Sequence, residues 1–458
     1  MAKAKKYYLC QECGYKSVNW MGKCSNCGSW DSFEEVIEDN SKDNKNKNKY
    51  NLNREEKEPQ SITKISSVKR QRFKTNITEL DRVLGGGIVS GSLVLLGGAP
   101  GIGKSTLILQ VASLFSQKYG KTLYLSGEES ASQIKMRAER LDCMEENLCI
   151  LDERDYMVLE NHISKNKDYS LIVVDSIQTV HIPELDAAPG NLTQIKEVTN
   201  RLVKLAKTTE IPVVLIGHVT KEGELAGPRV LEHLVDTVLQ FEGDNYHMYR
   251  MLRAKKNRFG STNEIGVFEM KEKGIKEVAN PSSFFINERS ADVSGSIITP
   301  ALEGSRVLLV EVQSLVTDAA FPSPQRLAKG VDYKRLSLLL AVLEKRLGAN
   351  FKEYDVNLNI TGGINIEEPG LDLAIIAAVI SSYKDISLDN ELAVIGEVGL
   401  GGEVRAVGQI EKRINELKKL SFKKVIIPAA NAKNIAFDPD IKIDAVKDIA
   451  EFVKIILK

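Results

Sequence analysis

The chain has 458 residues, 62 of them basic and 62 acidic, so its formal net charge is zero. A neutral chain is not a general coat for nucleic acid, and any contact with DNA must come from local basic patches. No apolar run approaches the roughly 20 residues of a membrane helix, and the basic N-terminus "MAKAKKYYLC" has no apolar secretory core, so a cytoplasmic protein without a membrane segment is expected.

The first element is "CQECGYKSVNWMGKCSNCG", which carries Cys10, Cys13, Cys24 and Cys27 as two CxxC pairs. Each pair forms a tight knuckle with two thiolates aimed at one point, and glycines (Gly14, Gly28) follow where backbone amides turn toward sulfur. In a reducing compartment this spacing predicts a closed tetrahedral Zn²⁺ site, structural rather than catalytic. Trp20 and Trp30 either lie exposed or pack on the knuckles. Residues 1–37 are therefore read as a zinc module. Residues 38–60, rich in Asn, Lys and acids, have nothing to bury and read as a disordered linker. "KRQRFK", Lys69 to Lys74, is a basic run that binds a neighbouring subunit, binds DNA or solvates the linker.

From 61 to 289, short apolar runs ("SLVLLGG", "KTLYLS", "SLIVVDS", "IPVVLIGH") alternate with helical stretches at 104–118 and 192–209. This is the pattern of a buried, mostly parallel sheet with α/β crossovers. "GGAPGIGKST" follows the first of these runs and opens a helix, the context a phosphate-binding loop requires. Gly98, Ala99, Pro100, Gly101, Ile102 and Gly103 form the loop that wraps phosphate with backbone N–H groups, and Lys104 reaches the β- and γ-phosphates of ATP. Ser105 ligates Mg²⁺ with Thr106 beside it, and Asp175, ending "LIVVD", is the second Mg²⁺ contact through water. "SGEES" ends the next strand after the loop; Glu128 is read as the base that polarises water, with Glu129 the alternative. His218, ending "VVLIGH", either senses the γ-phosphate or caps its strand. "KKNRFG" then gathers Lys255, Lys256 and Arg258 at a glycine turn after the strand "MYRMLRA".

Taken together, the CxxC pairs, "GGAPGIGKST", "SGEES", "VVDSIQT", "GHVTKEG" and above all "KNRFG" resemble the RadA (Sms) family, bacterial RecA-like ATPases of recombination and DNA repair. The likeness spans nearly the whole chain. It implies a RecA-like core and a homohexameric ring related to replicative DnaB helicases. It implies ATP-driven movement on single-stranded DNA with branch migration of branched intermediates, and RecA recombinase as a partner. In such rings ATP sits at a subunit seam, so Lys256 and Arg258 would act as fingers on a neighbour's γ-phosphate, worth about 10³–10⁵ in rate in related chemistry. Alternatively the turn meets DNA, with Phe259 stacking on a base. The loop "TKEGELAGPR" would face the central channel, with Lys221 and Arg229 on DNA phosphates.

From 290 to 458 a second α/β pattern resembles the proteolytic domain of Lon, most closely in "VIGEVGLGGEVRAVGQIEKRI", Val394 to Ile414. Lon uses a Ser–Lys dyad. Here the serine position falls on Gly370 and the lysine position on Glu411, with Lys412 rotated about 100° away on a helix. The expected architecture is thus a zinc knuckle, a P-loop ATPase core and a Lon-like domain without peptidase chemistry, suited to scaffolding the ring or binding duplex DNA through cations such as Arg326, Lys329, Lys334, Arg335, Lys345 and Arg346. The competing readings are an ATP-dependent Lon-type protease and a signalling ATPase of the KaiC type.

Overall fold

The computed structural model describes residues 5–10, 13–38, 61, 63, 71–166, 168–218, 230–243, 249–278, 280–286, 293–363, 365–433, 435 and 439–457. Lys221, Arg229 and the linker expected over 38–60, apart from residue 38, lie outside them. The chain gathers into two compact units by an interleaved division rather than a single cut: 1–77, 86–240 and 255–260 form the first, and 78–85, 241–254 and 261–458 the second.

The ribbon at the N-terminus is a three-stranded antiparallel sheet of β1 (Lys5–Cys10), β2 (Lys16–Ser17) and β3 (Phe33–Glu38), with β1 central. Further along come β4 (Arg72–Phe73), α1 (Thr78–Leu84), β5 (Ile88–Val89), β6 (Leu93–Gly98), α2 (Lys104–Tyr119), β7 (Thr122–Ser126), α3 (Ala131–Arg140), β8 (Leu148–Asp152), α4 (Tyr156–Lys165), β9 (Leu171–Asp175), α5 (Leu192–Thr209), β10 (Val213–His218), α6 (Val230–Leu234) and β11 (Thr237–Glu242). In the first unit β6, β10, β9, β7 and β8 pair in that order, all parallel, with β11 on the other side of β6. The strands are apolar on both faces because helices cover both: Leu93, Leu95, Val174 and Leu215 join one core, while Val94 and Leu96 are equally buried on the other face. Helix starts follow capping chemistry. Asn191 accepts from the Thr193 amide to open α5, and Ser130 and Gln133 form a reciprocal capping box on α3.

The antiparallel strands β12 (Tyr249–Asn257, its last three residues counted in the first unit), β13 (Ile265–Lys271) and β14 (Gly274–Glu277) come next, then α7 (Pro281–Ile286) of the second unit. Its main body holds β15 (Ser296–Glu303), β16 (Arg306–Asp318), β17 (Arg326–Lys329), α8 (Tyr333–Leu347), β18 (Tyr354–Ile360), α9 (Asp372–Lys384), β19 (Leu392–Val394), β20 (Glu397–Val398), β21 (Val404–Arg405), α10 (Ile410–Lys419), β22 (Lys424–Pro428), α11 (Ala429–Ala432), β23 (Lys442–Val446) and α12 (Ile449–Ile456). A mixed seven-stranded sheet runs β17-β18-β16-β15-β19-β22-β23. Alternation along β15 divides the core: Ile297 and Ala301 meet α8, α9 and α12, whereas Ile298 meets α10. Helix α9 is buried at every position from Asp372 to Ser381, as its nearly unbroken apolar sequence requires.

Two ion pairs are set into this unit. Asp372, 1% exposed, receives Arg335 Nε at 2.7 Å and the Val398 amide at 2.8 Å. Arg413, also 1% exposed, pairs with Glu368 and donates to the carbonyls of Pro300 at 2.6 Å and Gly408 at 2.9 Å. Truncating one partner strands a buried charge, which costs about 3–5 kcal/mol, whereas replacing both by apolar or neutral groups costs far less. Arg413→Ala is therefore expected to lower the urea midpoint of the transition that includes this unit, and Glu368→Gln combined with Arg413→Met to lower it less than Arg413→Ala alone.

Candidate active site and metal centre

Parallel register decides what meets at the carboxyl ends of the strands. His218 pairs with Gly98, and Asp175 pairs with both Ser126 and Ile216, so the exits of β6, β10, β9 and β7 lie side by side. This is the edge at which open α/β sheets bind ligands. The loop leaving β6 turns through Gly101 (φ 75°) and Gly103 (φ 109°), backbone that disfavours any side chain, and delivers its amides to the start of α2.

Lys104, the first residue of α2, is 3% exposed, and its Nζ donates to the carbonyls of Gly98 at 2.8 Å and Ala99 at 2.9 Å. Burial lowers its pKa, against the pull of Asp175 and Glu128. Asp175 is buried, and burial raises its carboxyl pKa against hydrogen bonds from Tyr124 and Ser105. The Tyr124 hydroxyl donates to Asp175 Oδ2 at 2.5 Å. The Ser105 hydroxyl and the Asp175 carboxylate together make a hard-oxygen donor pair beside the phosphate loop, which suits Mg²⁺.

The two acids of "SGEES" separate. Glu129 is ion-paired to Arg137, and the turn holding it is closed by its own amide and carbonyl on Ser126 Oγ. Glu128 is exposed, accepts the Ser176 hydroxyl at 2.5 Å, and acts electrostatically on both Lys104 and Asp175. A Cβ on Gly127 would stand 2.2 Å from Thr179 Oγ1, so only glycine fits under this turn. Arg154 Nε binds the Gly127 carbonyl at 2.8 Å.

Tyr124, Ser176 and Arg154 escaped the reading of the sequence. Register carries the missing signal for Tyr124: its partner is Val173, two residues before Asp175, and so on the same sheet face as the carboxylate it binds.

Lys256 and Arg258 stand elsewhere in the same unit. Strand β12 runs on through Asn257, so Lys256 lies within the strand and only Arg258 opens the turn, a correction to the expectation that both sit on it. The reason is local. Lys256 Nζ donates to the carbonyls of Glu232 at 2.6 Å and Val235 at 2.9 Å at the end of α6, the position where a cation satisfies orphan carbonyls. Arg258 binds Asp236, which in turn holds Leu93, the first residue of β6. From Leu93 to Gly98 the strand spans about 17 Å, so Arg258 lies at the opposite end of β6 from its own phosphate loop.

In the ribbon, the sulfurs of Cys10, Cys13, Cys24 and Cys27 lie within 4.8 Å of one another. Each knuckle is closed by backbone hydrogen bonds, Gly14 N to Cys10 O and Gly28 N to Cys24 O, both 2.9 Å, with Gly14 and Gly28 at positive φ. Four converging thiols fit a tetrahedral Zn²⁺ and leave no position for a substrate. Trp20 and Trp30 are both exposed, and Lys23 Nζ stands 5.3 Å from the centre of the Trp30 ring. In the second unit, a Cβ on Gly370 would meet Glu368 Oε1 at 2.8 Å and Arg413 Nη1 at 3.5 Å, while Glu411 is exposed in the first turn of α10. The place expected for a nucleophile holds a buried ion pair.

Comparison with known proteins agrees with this division. Residues 8–35 match a family described as a rubredoxin metal-binding domain, 58–224 an AAA domain, and 340–458 the Lon protease (S16) C-terminal proteolytic domain. The chain therefore uses ATP and Mg²⁺ in its core and Zn²⁺ in its ribbon. Among solved structures, a KaiC-like protein from Pyrococcus horikoshii is 22% identical over 46% of this chain and 99% of its own (TM-score 0.39). The RadB recombinase is 23% identical over 45% of this chain and 99% of its own (TM-score 0.36). Curated relatives are far more alike. The DNA repair protein RadA of Bacillus subtilis is 48% identical over 99% of both chains, and that of Halalkalibacterium halodurans is 46% identical over the full length of both. The chain belongs to the RadA family of DNA repair proteins.

Proposed function

We propose that the chain is a DNA-dependent ATPase motor of recombinational repair in the cytoplasm. On this reading it works as a homohexameric ring that moves on single-stranded DNA and drives branch migration beside a RecA-type recombinase. The observation that carries the reading is the separation along β6: Lys104, Glu128 and Asp175 gather at one end, and Arg258 is held at the other, farther than an arginine side chain reaches. A cation so placed serves a nucleotide only across a subunit seam, which is how ring ATPases couple hydrolysis to their neighbours.

In this scheme the loop amides and Lys104 bind the phosphates. Ser105 and Asp175 hold Mg²⁺, which supplies positive charge between the phosphates. Glu128 orients the attacking water, and Arg258 of the adjacent protomer meets the charge that develops on the γ-phosphate. Lys256 anchors the turn rather than touching ATP. Lys221 and Arg229 are assigned to the DNA backbone in the channel. The Lon-like unit lends ring symmetry, not proteolysis, since Gly370 and Glu411 provide neither nucleophile nor base.

Hydrolysis by the full-length protein should rise with single-stranded DNA and vanish in Lys104→Ala; turnover indifferent to DNA in zinc-loaded protein would rule the motor out. Arg258→Ala should lower kcat by about 10³-fold or more while ATP affinity holds. Activity should return when Arg258→Ala is co-purified in mixed rings with Lys104→Ala, because each supplies what the other lacks. Zinc analysis should find about one ion per chain, and Cys13→Ser or Cys24→Ser should lose it while the DNA-independent ATPase survives.

A further inference from the structure

The function proposed above needs Arg258 to be presented rigidly, yet 49% of its side-chain surface is exposed, and an exposed arginine by itself samples many rotamers. What holds it is Asp236, at the junction of α6 and β11, whose side chain is only 8% exposed. Asp236 grips two elements, each by main chain and by carboxylate. Its amide donates to Leu93 O at 3.0 Å while its Oδ2 accepts the Leu93 amide at 3.1 Å. Its carbonyl accepts the Arg258 amide at 3.0 Å while its Oδ1 accepts Arg258 Nη1 at 3.2 Å. The groups around it fit the same purpose. Lys256 fixes the preceding strand end to the carbonyls of Glu232 and Val235, Arg72 donates to the Phe259 carbonyl at 2.5 Å, and Asn257 Oδ1 accepts the Phe259 amide at 2.9 Å.

We propose that Asp236 is the positioning residue of Arg258: it aims the guanidinium at the neighbouring protomer's nucleotide and fastens it to the strand that carries the protomer's own phosphate loop. The inference rests on the reading of Arg258 as a cation acting in trans. A buried carboxylate that only closed the end of a strand would need the Leu93 hydrogen bonds and nothing more. The second pair of bonds, to the amide and guanidinium of one residue 22 positions later in sequence, is what a clamp on that residue requires.

The test is Asp236→Asn in the full-length protein, assayed with ATP and single-stranded DNA alongside Arg258→Ala and the double variant. Asparagine keeps the shape and an acceptor but loses the charge on Arg258. The expected result is a fall in kcat of about tenfold or more with the KM for ATP within about twofold of wild type. Asp236→Asn should add no further loss in the Arg258→Ala background, since a clamp with nothing to hold does nothing. Mixed rings of Asp236→Asn with Lys104→Ala should recover activity, because the Lys104→Ala protomer supplies a correctly aimed arginine. The proposal is overturned if Asp236→Asn leaves kcat unchanged while Arg258→Ala is inactive, if the two losses add, or if mixing restores nothing, which would place the role of Asp236 in cis on β6. Full activity of Arg258→Ala would instead remove the underlying reading. Should Asp236→Asn prove too unstable to purify, Asp236→Glu, which keeps the charge but shifts it by one methylene, carries the same cycle and the same mixing test.

Discussion

The parallel register of β6, β10, β9 and β7 is the constraint from which the rest follows. Because β10, β9 and β7 run the same way in fixed register, the phosphate loop, Asp175 and the turn bearing Glu128 emerge at one edge with no further adjustment. The same rigidity puts Leu93, and everything bonded to it, at the other edge. A strand hydrogen-bonded on both sides and buried on both faces has little freedom to shorten, so its two ends stay about 17 Å apart. Separation of binding loop and cation is therefore a property of the sheet.

Burial gives the site edge its chemistry. Lys104 and Asp175 are both held where water is scarce, and each is pushed toward its neutral form by that burial. They are kept useful by one another and by the hydroxyls of Tyr124 and Ser105. The pair thus stays charged at the mouth of the phosphate loop, where a cation for phosphate and an oxygen donor for Mg²⁺ stand side by side.

Much of this was legible in the sequence, and the exceptions have a common cause. Helix α5 was expected over 192–209 and occupies Leu192–Thr209, since the cap at Asn191 and the apolar period are both local signals. The strands ending at Gly98, Asp175 and His218 were equally plain, as continuous apolar runs closed by polar residues. Tyr124, Asp236 and Arg413 were not legible. Each is defined by a partner 51, 143 or 45 residues away, and no periodicity reports a pairing at that distance. The choice between Glu128 and Glu129 stood open for a different reason: Arg137, only eight residues from Glu129, reaches it once α3 has formed. Extension of β12 through Lys256 went unseen because two consecutive lysines look solvated unless the carbonyls at the end of α6 are known to lie under one of them.

In the Lon-like unit the turn at Gly370 is a structural joint. With no side chain at Gly370, the space beside it is left to its neighbours. Here the volume is taken by Glu368 and Arg413, whose charges then demand partners of their own. Arg413 finds them in the carbonyls of Pro300 and Gly408, and Glu368 in the amide of Leu302. The result ties α10, β15 and the turn at Pro369 to one another through directional bonds that tolerate little displacement, where an apolar plug would have allowed sliding. A Cβ at position 370 would stand 2.8 Å from Glu368 Oε1, so the glycine and the joint depend on each other.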